Sequence, residues 1–155
     1  HKLVYNQAYS VVIGDYVSKQ EGYRFSESSD ITMKGLKTEK TAIPSLGKAT
    51  YSGKAFMGDN YFQSGSLGYE GSLNYDVNFK DRTGSGSITG LGDTVELQQG
   101  TISGTGISAI AQQGYKKGSY LLDFYGKKAE EIAGKVKFDG KDVIGFGGTR
   151  GEIAE

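Results

Sequence analysis

The 155-residue sequence contains no cysteine, a single histidine at its first position and a single proline. Without cysteine there are no disulfides, no thiolate metal sites and no cysteine nucleophile, so the fold stands on its core alone. His1 is the one imidazole. A Ser-His-Asp arrangement would need its base on a frayed terminus, which speaks against that chemistry. No apolar run approaches the roughly 20 residues of a membrane-spanning helix. No signal segment stands ahead of His1, so the expectation is a processed or trimmed portion of a longer chain. Charge of one sign is missing as well, because 18 basic and 18 acidic residues cancel. A neutral chain has no global field for nucleic acid or an anionic membrane, and any electrostatic partner must be met by a local patch. What is present is 25 glycines, 11 tyrosines and 7 phenylalanines along the whole chain. With neither collagen period nor disordered composition, that mixture predicts many short strands joined by tight turns.

The stretch Tyr120 to Phe138 organises the rest. Tyr120, Leu122 and Phe124 alternate with Ser119, Leu121, Asp123 and Tyr125 at the period of a one-sided strand. Gly126 then permits a change of direction, Ala129 to Ala133 suffice for about one helical turn, and Gly134 restores an extended path. The expectation is strand, short helical plug, strand, with Ala129 and Ile132 covering a layer end and Lys127, Lys128, Glu130 and Glu131 wet.

In chain order, Leu3 to Val17 is β-branched and aromatic and predicts one or two strands, broken or bent near Gly14. Ser18 to Ser29 is polar, Asp30 to Leu36 is a short strand, and Lys37 to Leu46 holds Pro44 and connects. From Gly47 onward, strand-length segments follow one another. Ala49, Tyr51, Gly53 and Ala55 share a face, and Leu73, Tyr75, Val77 and Phe79 form the clearest alternation in the chain. Ile88 is the main apolar residue of the next segment; Thr94 to Gln98, Thr101 to Ile107 and Ser108 to Gln112 are weaker candidates. Asp139-Gly140 suits a tight hairpin. About eight hairpin-linked strands leave no open edge if they close. The expected fold is all-β: an eight-stranded antiparallel up-and-down β-barrel at 47–150, preceded by a short N-terminal β-sheet segment and connector at 1–46, with an open sandwich as the alternative.

Gly47-Lys-Ala-Thr-Tyr-Ser-Gly-Lys-Ala-Phe56, Tyr75-Asp-Val-Asn-Phe79 leading into Thr83-Gly-Ser-Gly-Ser-Ile88, Phe124-Tyr-Gly-Lys-Lys-Ala-Glu-Glu-Ile-Ala-Gly134 and Ile144-Gly-Phe-Gly-Gly148 carry a resemblance. In order and spacing they resemble the carboxy-terminal β-barrel of Gram-negative surface lipoproteins. That group holds the neisserial factor H binding protein, the neisserial heparin-binding antigen and the transferrin-binding protein B lobes. Tyr5-Asn-Gln-Ala-Tyr-Ser-Val-Val12 is similar to the segment preceding the barrel in the first two. The resemblance implies a lipid-anchored, surface-exposed outer-membrane protein, monomeric, whose contact with the membrane is an anchor outside this chain. It implies binding of a host serum protein, a complement regulator such as factor H or factor I, for immune evasion. The alternative is capture of haem or an iron protein of the transferrin type. The departures are plain. One barrel cannot reproduce a ligand site shared between two, Arg24, Arg82 and Arg150 do not make an arginine-rich segment, and a 45-residue annex is short for the handle regions of transferrin-binding protein B.

Several motifs invite chemistry and have a plainer explanation. Glu130 and Glu131 suit a wet helix face better than an acid and base pair, since helical neighbours point about 100° apart. Gly145, Gly147 and Gly148 lack the following helix of a phosphate loop and suit a closing barrel strand. Asp139 to Asp142 is too short for a dedicated calcium loop. Haem wants an axial ligand, and only His1, Met33, Met57 and the tyrosines are on offer, so no cofactor is expected. Lys116-Lys117 and Lys127-Lys128 are candidate polyanion patches or ordinary edge protection. The binding candidates are Asp59, Asn60, Tyr61 and Phe62 in a long polar connection, Tyr23, Arg24 and Phe25, and Tyr115, Lys116 and Lys117. Aromatics without a strand pattern to bury them are frequent interface anchors; the alternatives are that Tyr61 and Phe62 fold back over the barrel mouth and that Tyr23-Arg24-Phe25 is an edge of the core. Alanine at Tyr61 and Phe62 is expected to abolish partner capture without altering thermal unfolding.

Overall fold

The computed structural model describes residues 2–58 and 69–155, with the backbone alone at 18, 20 and 25–27. Its elements are β1 (Lys2–Asn6), β2 (Ser10–Glu21), β3 (Arg24–Gly35), one 3-10 turn (Lys40–Ala42), β4 (Lys48–Met57), β5 (Tyr69–Asn78), β6 (Thr83–Thr89), β7 (Val95–Ser103), β8 (Gly106–Gln113), β9 (Lys116–Tyr125), β10 (Glu131–Phe138) and β11 (Lys141–Arg150). β1, β2 and β3 make a three-stranded antiparallel sheet, and the other eight strands close a barrel in the order β10-β11-β4-β5-β6-β7-β8-β9. The expected all-β barrel with a leading sheet is therefore the fold.

The period-two alternation does what it should. Leu73, Tyr75 and Val77 point inward from β5 with Phe79 just beyond it, and Tyr51, Ile88, Tyr120, Phe124 and Phe146 fill the same space, all at most 2 % exposed. The barrel interior is a packed core. Tyr75 and Tyr120 hydroxyls satisfy each other there at 2.8 Å, and Tyr120 also donates to the Gln98 carbonyl at 2.6 Å. Asp139 and Gly140, at φ of 53° and 76°, form the expected tight hairpin between β10 and β11.

Three expectations are corrected. Ser18 to Ser29 is not outside the strands, because β2 and β3 pair without interruption from Ser10 with Gly35 to Glu21 with Arg24. The break in the first segment falls at Gln7 to Tyr9, and β2 continues unbroken through Gly14. Second, the weaker candidates between Thr94 and Gln112 are two strands, turning at Gly104. Third, the helical plug does not form. β9 ends at Tyr125 and β10 begins at Glu131, and the loop between them turns through Gly126 and Ala129, at φ of 104° and 59°. Ala129 still closes the barrel end, accepting from the Tyr51 hydroxyl at 2.5 Å. Ile43 from the connector enters the same core. Ile132 is a strand residue inside the barrel, and Glu131 is 2 % exposed rather than wet.

Candidate functional site

Strand direction alone gathers the candidates. Barrel strands alternate in direction, so the last residue of β4, at Met57, and the turns after β6, β8 and β10, at 90–94, 114–115 and 139–140, share one end. β2 runs toward that end too. Its start is tied to the start of β10, where the Tyr9 N–H donates to both Glu131 carboxylate oxygens at 3.0 Å and the Ser10 hydroxyl donates at 2.7 Å. Six residues on, the Tyr16 hydroxyl donates to the Val143 carbonyl at 3.1 Å, near the start of β11. Another six residues at about 3.3 Å each carry the β2–β3 hairpin roughly 20 Å farther, to its turn at Gly22 and Tyr23.

Two of these turns have the same chemistry. Glu21-Gly22-Tyr23-Arg24 and Gln113-Gly114-Tyr115-Lys116 are two-residue hairpins with glycine first, at φ of 61° and 59°. Only glycine enters that region freely, which leaves tyrosine to the second position. Tyr23 and Tyr115 are fully exposed, at 106 % and 107 %. Each is followed by exposed cations, Arg24 in one turn, Lys116 and Lys117 in the other. The second turn is held by Gln113, whose side-chain amide donates to the Leu91 and Asp93 carbonyls at 2.8 and 2.9 Å. A tyrosine offers a large apolar face with a polar tip and loses little conformational freedom on contact, so paired aromatic and cationic tips suit capture of a protein surface.

Phe25 lies in β3. Asp59, Asn60, Tyr61 and Phe62 lie outside the described residues; their connection leaves β4 at Met57 and returns at Tyr69 on the same end. Lys127 and Lys128 are at the opposite end, so the two lysine pairs do not form one patch.

What sequence reasoning missed is the seat of the hairpin. Asp142, 8 % exposed, accepts from the Ile31 N–H at 2.8 Å and from Lys135 Nζ at 2.9 Å, with Lys137 at 3.8 Å. The Ser29 hydroxyl donates to the Asp142 carbonyl. Val12, Tyr16, Ile31, Phe56, Tyr125 and Ala133 form the apolar cluster between sheet and barrel. Gly145 and Gly147 make room for it: a Cβ on Gly145 would meet Phe56 at 2.5 Å and Val12 at 2.9 Å, and one on Gly147 would meet Gln7 at 2.7 Å and Tyr5 at 2.9 Å. Burial pushes the Tyr16 hydroxyl up to about 12, so it stays a neutral donor in this seat. The one local signal was alternation of glycine with Ile144 and Phe146. It marks a strand whose outer face lacks side chains, hence a surface something lies upon.

The sequence pattern described as "Factor H binding protein, C-terminal" matches residues 41–136, well over half of the chain. The chain belongs to that family. Among solved structures it is similar to the haemoglobin receptor HpuA from Kingella denitrificans, known alone and in complex with human haemoglobin, at 20 % identity and TM-score 0.73 over 94 % of this chain. Transferrin binding protein B from Neisseria meningitidis is similar at 18 % identity and TM-score 0.62 over 97 % of it. A surface lipoprotein is similar at 17 % identity and TM-score 0.68. The chain spans 56 % of the receptor and 36 % of the transferrin binding protein. At these identities the likeness is one of fold.

Proposed function

We propose that this family member is a non-enzymatic binding domain of a lipid-anchored surface protein of the outer membrane, and that it captures a host serum protein through the end bearing Tyr23 and Tyr115. Residues 1–46 supply one tip and the barrel at 47–150 the other, with Arg24, Lys116 and Lys117 following the tyrosines in the chain. The observation that carries this is the repeated Gly-Tyr-cation turn, two fully exposed tyrosines on hairpin turns whose leading strands run toward the same end. Family membership favours a complement regulator, factor H or factor I, and hence immune evasion. The domain acts as a monomer and needs no cofactor.

A second reading, capture of haemoglobin or a transferrin-type protein, is favoured by one particular fact. Likeness to the haemoglobin receptor extends over 94 % of the chain, whereas the family pattern begins at residue 41. Haem itself finds no room in the barrel, whose aromatic residues fill it. The test is a pull-down from host serum on immobilised domain, with retained proteins identified by mass spectrometry. Stoichiometric retention of a complement regulator supports the first reading, and haemoglobin or transferrin in its place supports the second. An eluate with none of these contradicts both.

A further inference from the structure

The three-stranded sheet has two edges, and the barrel treats them differently. On β3, the Ile31 N–H donates to Asp142 and the Ile31 carbonyl accepts from Lys135 Nζ at 3.0 Å. Both groups therefore point away from β2, and side chains of the barrel occupy that edge. Gly14 lies opposite Ile31, so in an antiparallel ladder it turns its own N–H and carbonyl toward β1, where its partner is Leu3. Alternation then sends the N–H and carbonyl groups of Lys2, Val4 and Asn6 to the outer edge of β1. No described residue hydrogen-bonds to them. β1 also lacks the proline or bulge that blunts an exposed edge.

Beside this edge runs a groove of about 370 Å³, lined by Leu3, Tyr5, Lys54, Phe56, Tyr69 and Glu70 among others. Its floor is apolar apart from Lys54 and Glu70, which neutralise each other at 3.2 Å. Tyr69 and Val4 are both about half exposed, at 51 % and 53 %. Lys2, at the far end of the edge, has no carboxylate within ion-pair distance among the described residues. A row of free amides and carbonyls over an apolar floor fits one kind of occupant, an extended polypeptide. We propose that the β1 edge is a strand-addition site for an extended segment of a partner protein, apolar in its middle and carrying a carboxylate beside Lys2. A second copy fits less well, because two β1 edges paired about Val4 set Lys2 opposite Asn6 and supply no carboxylate. The edge is a surface separate from the tyrosine tips.

The test uses the whole chain and a synthetic heptapeptide of alternating valine and threonine ending in aspartate, followed by amide NMR. The Val4 and Asn6 amides are expected to shift and gain exchange protection. Val4→Pro deletes one edge-facing N–H and no bond to β2, and is expected to weaken binding about tenfold or more. Val4→Thr keeps the N–H and binds as the parent does. On the unaltered protein, the peptide N-methylated along the face that meets β1 fails to bind. Combined Tyr23→Ala and Tyr115→Ala leaves peptide binding unchanged, which separates this site from the tip reading. Unshifted β1 amides at saturating peptide, equal binding by Val4→Pro, or a concentration-dependent dimer that Val4→Pro abolishes would each overturn the assignment.

Discussion

Tyr23 and Tyr115 stand wholly in solvent, and that position decides what their removal does. A side chain that touches nothing contributes nothing to folding, whereas an aromatic ring buried at the centre of an interface carries about 2 kcal/mol or more of binding. Tyr23→Ala and Tyr115→Ala are each expected to weaken partner binding more than about tenfold while thermal unfolding stays where it is, as paired calorimetry and binding titration would check. Glu131 is the opposite case. Its buried carboxylate accepts from Tyr9 and Ser10, and Glu131→Ala strands those donors at a cost of about 2–3 kcal/mol, measurable by urea unfolding. The exposure of Tyr23 was only partly legible, since an aromatic and arginine in a polar stretch suit the edge of a core as readily as open solvent. Glu131 was not legible, since its partners lie 121 and 122 residues away. Local composition around Glu130 and Glu131 describes a wet helix as readily as a clamp.

Between elements, the N-terminal sheet rests on β10 and β11 through a small apolar cluster and two carboxylate clamps. Because the seat depends on missing side chains, Gly145→Ala is expected to cost about 1–3 kcal/mol by overpacking against Phe56 and Val12. The loss should be local. Hydrogen exchange would quicken in β1, β2 and β3 and stay slow in β5 to β8; uniform acceleration would mean that barrel and sheet unfold as one. β5 and the β10–β11 hairpin were legible because period two and Asp-Gly chemistry act within a few residues. The helical plug was misread for a specific reason. Ala129 tolerates a helix, yet the closed barrel forces it to φ of 59° so that its carbonyl meets Tyr51. The long β2–β3 hairpin was hidden because residues 18–29 have little apolar alternation to announce it; its pairing is continued from the anchored half.

At the scale of the molecule, a barrel filled with tyrosine is stable while the phenols stay protonated. From an ordinary value of 10.0, burial pushes Tyr16 and Tyr125 up to about 12 and raises Tyr51, Tyr75 and Tyr120 as well. An unfolded chain releases those protons near pH 10, so this contribution to stability is complete below pH 10 and falls away as pH rises toward 12 and beyond. The absorbance of the buried tyrosines and the circular dichroism are expected to change together in one cooperative alkaline transition; early titration of every tyrosine with the fold intact would contradict the packed interior. The same scale holds what the sequence showed least, that turns far apart in the chain share an end, because this follows from counting strands and not from any residue. The most direct measurement is therefore capture from host serum by three immobilised proteins side by side: the parent, Tyr23→Ala with Tyr115→Ala, and Lys127→Ala with Lys128→Ala at the opposite end. Retention by the parent and the lysine variant, with loss in the tyrosine variant at unchanged melting temperature, is the expected result. Undiminished capture by the tyrosine variant would contradict the assignment of this end as the binding surface.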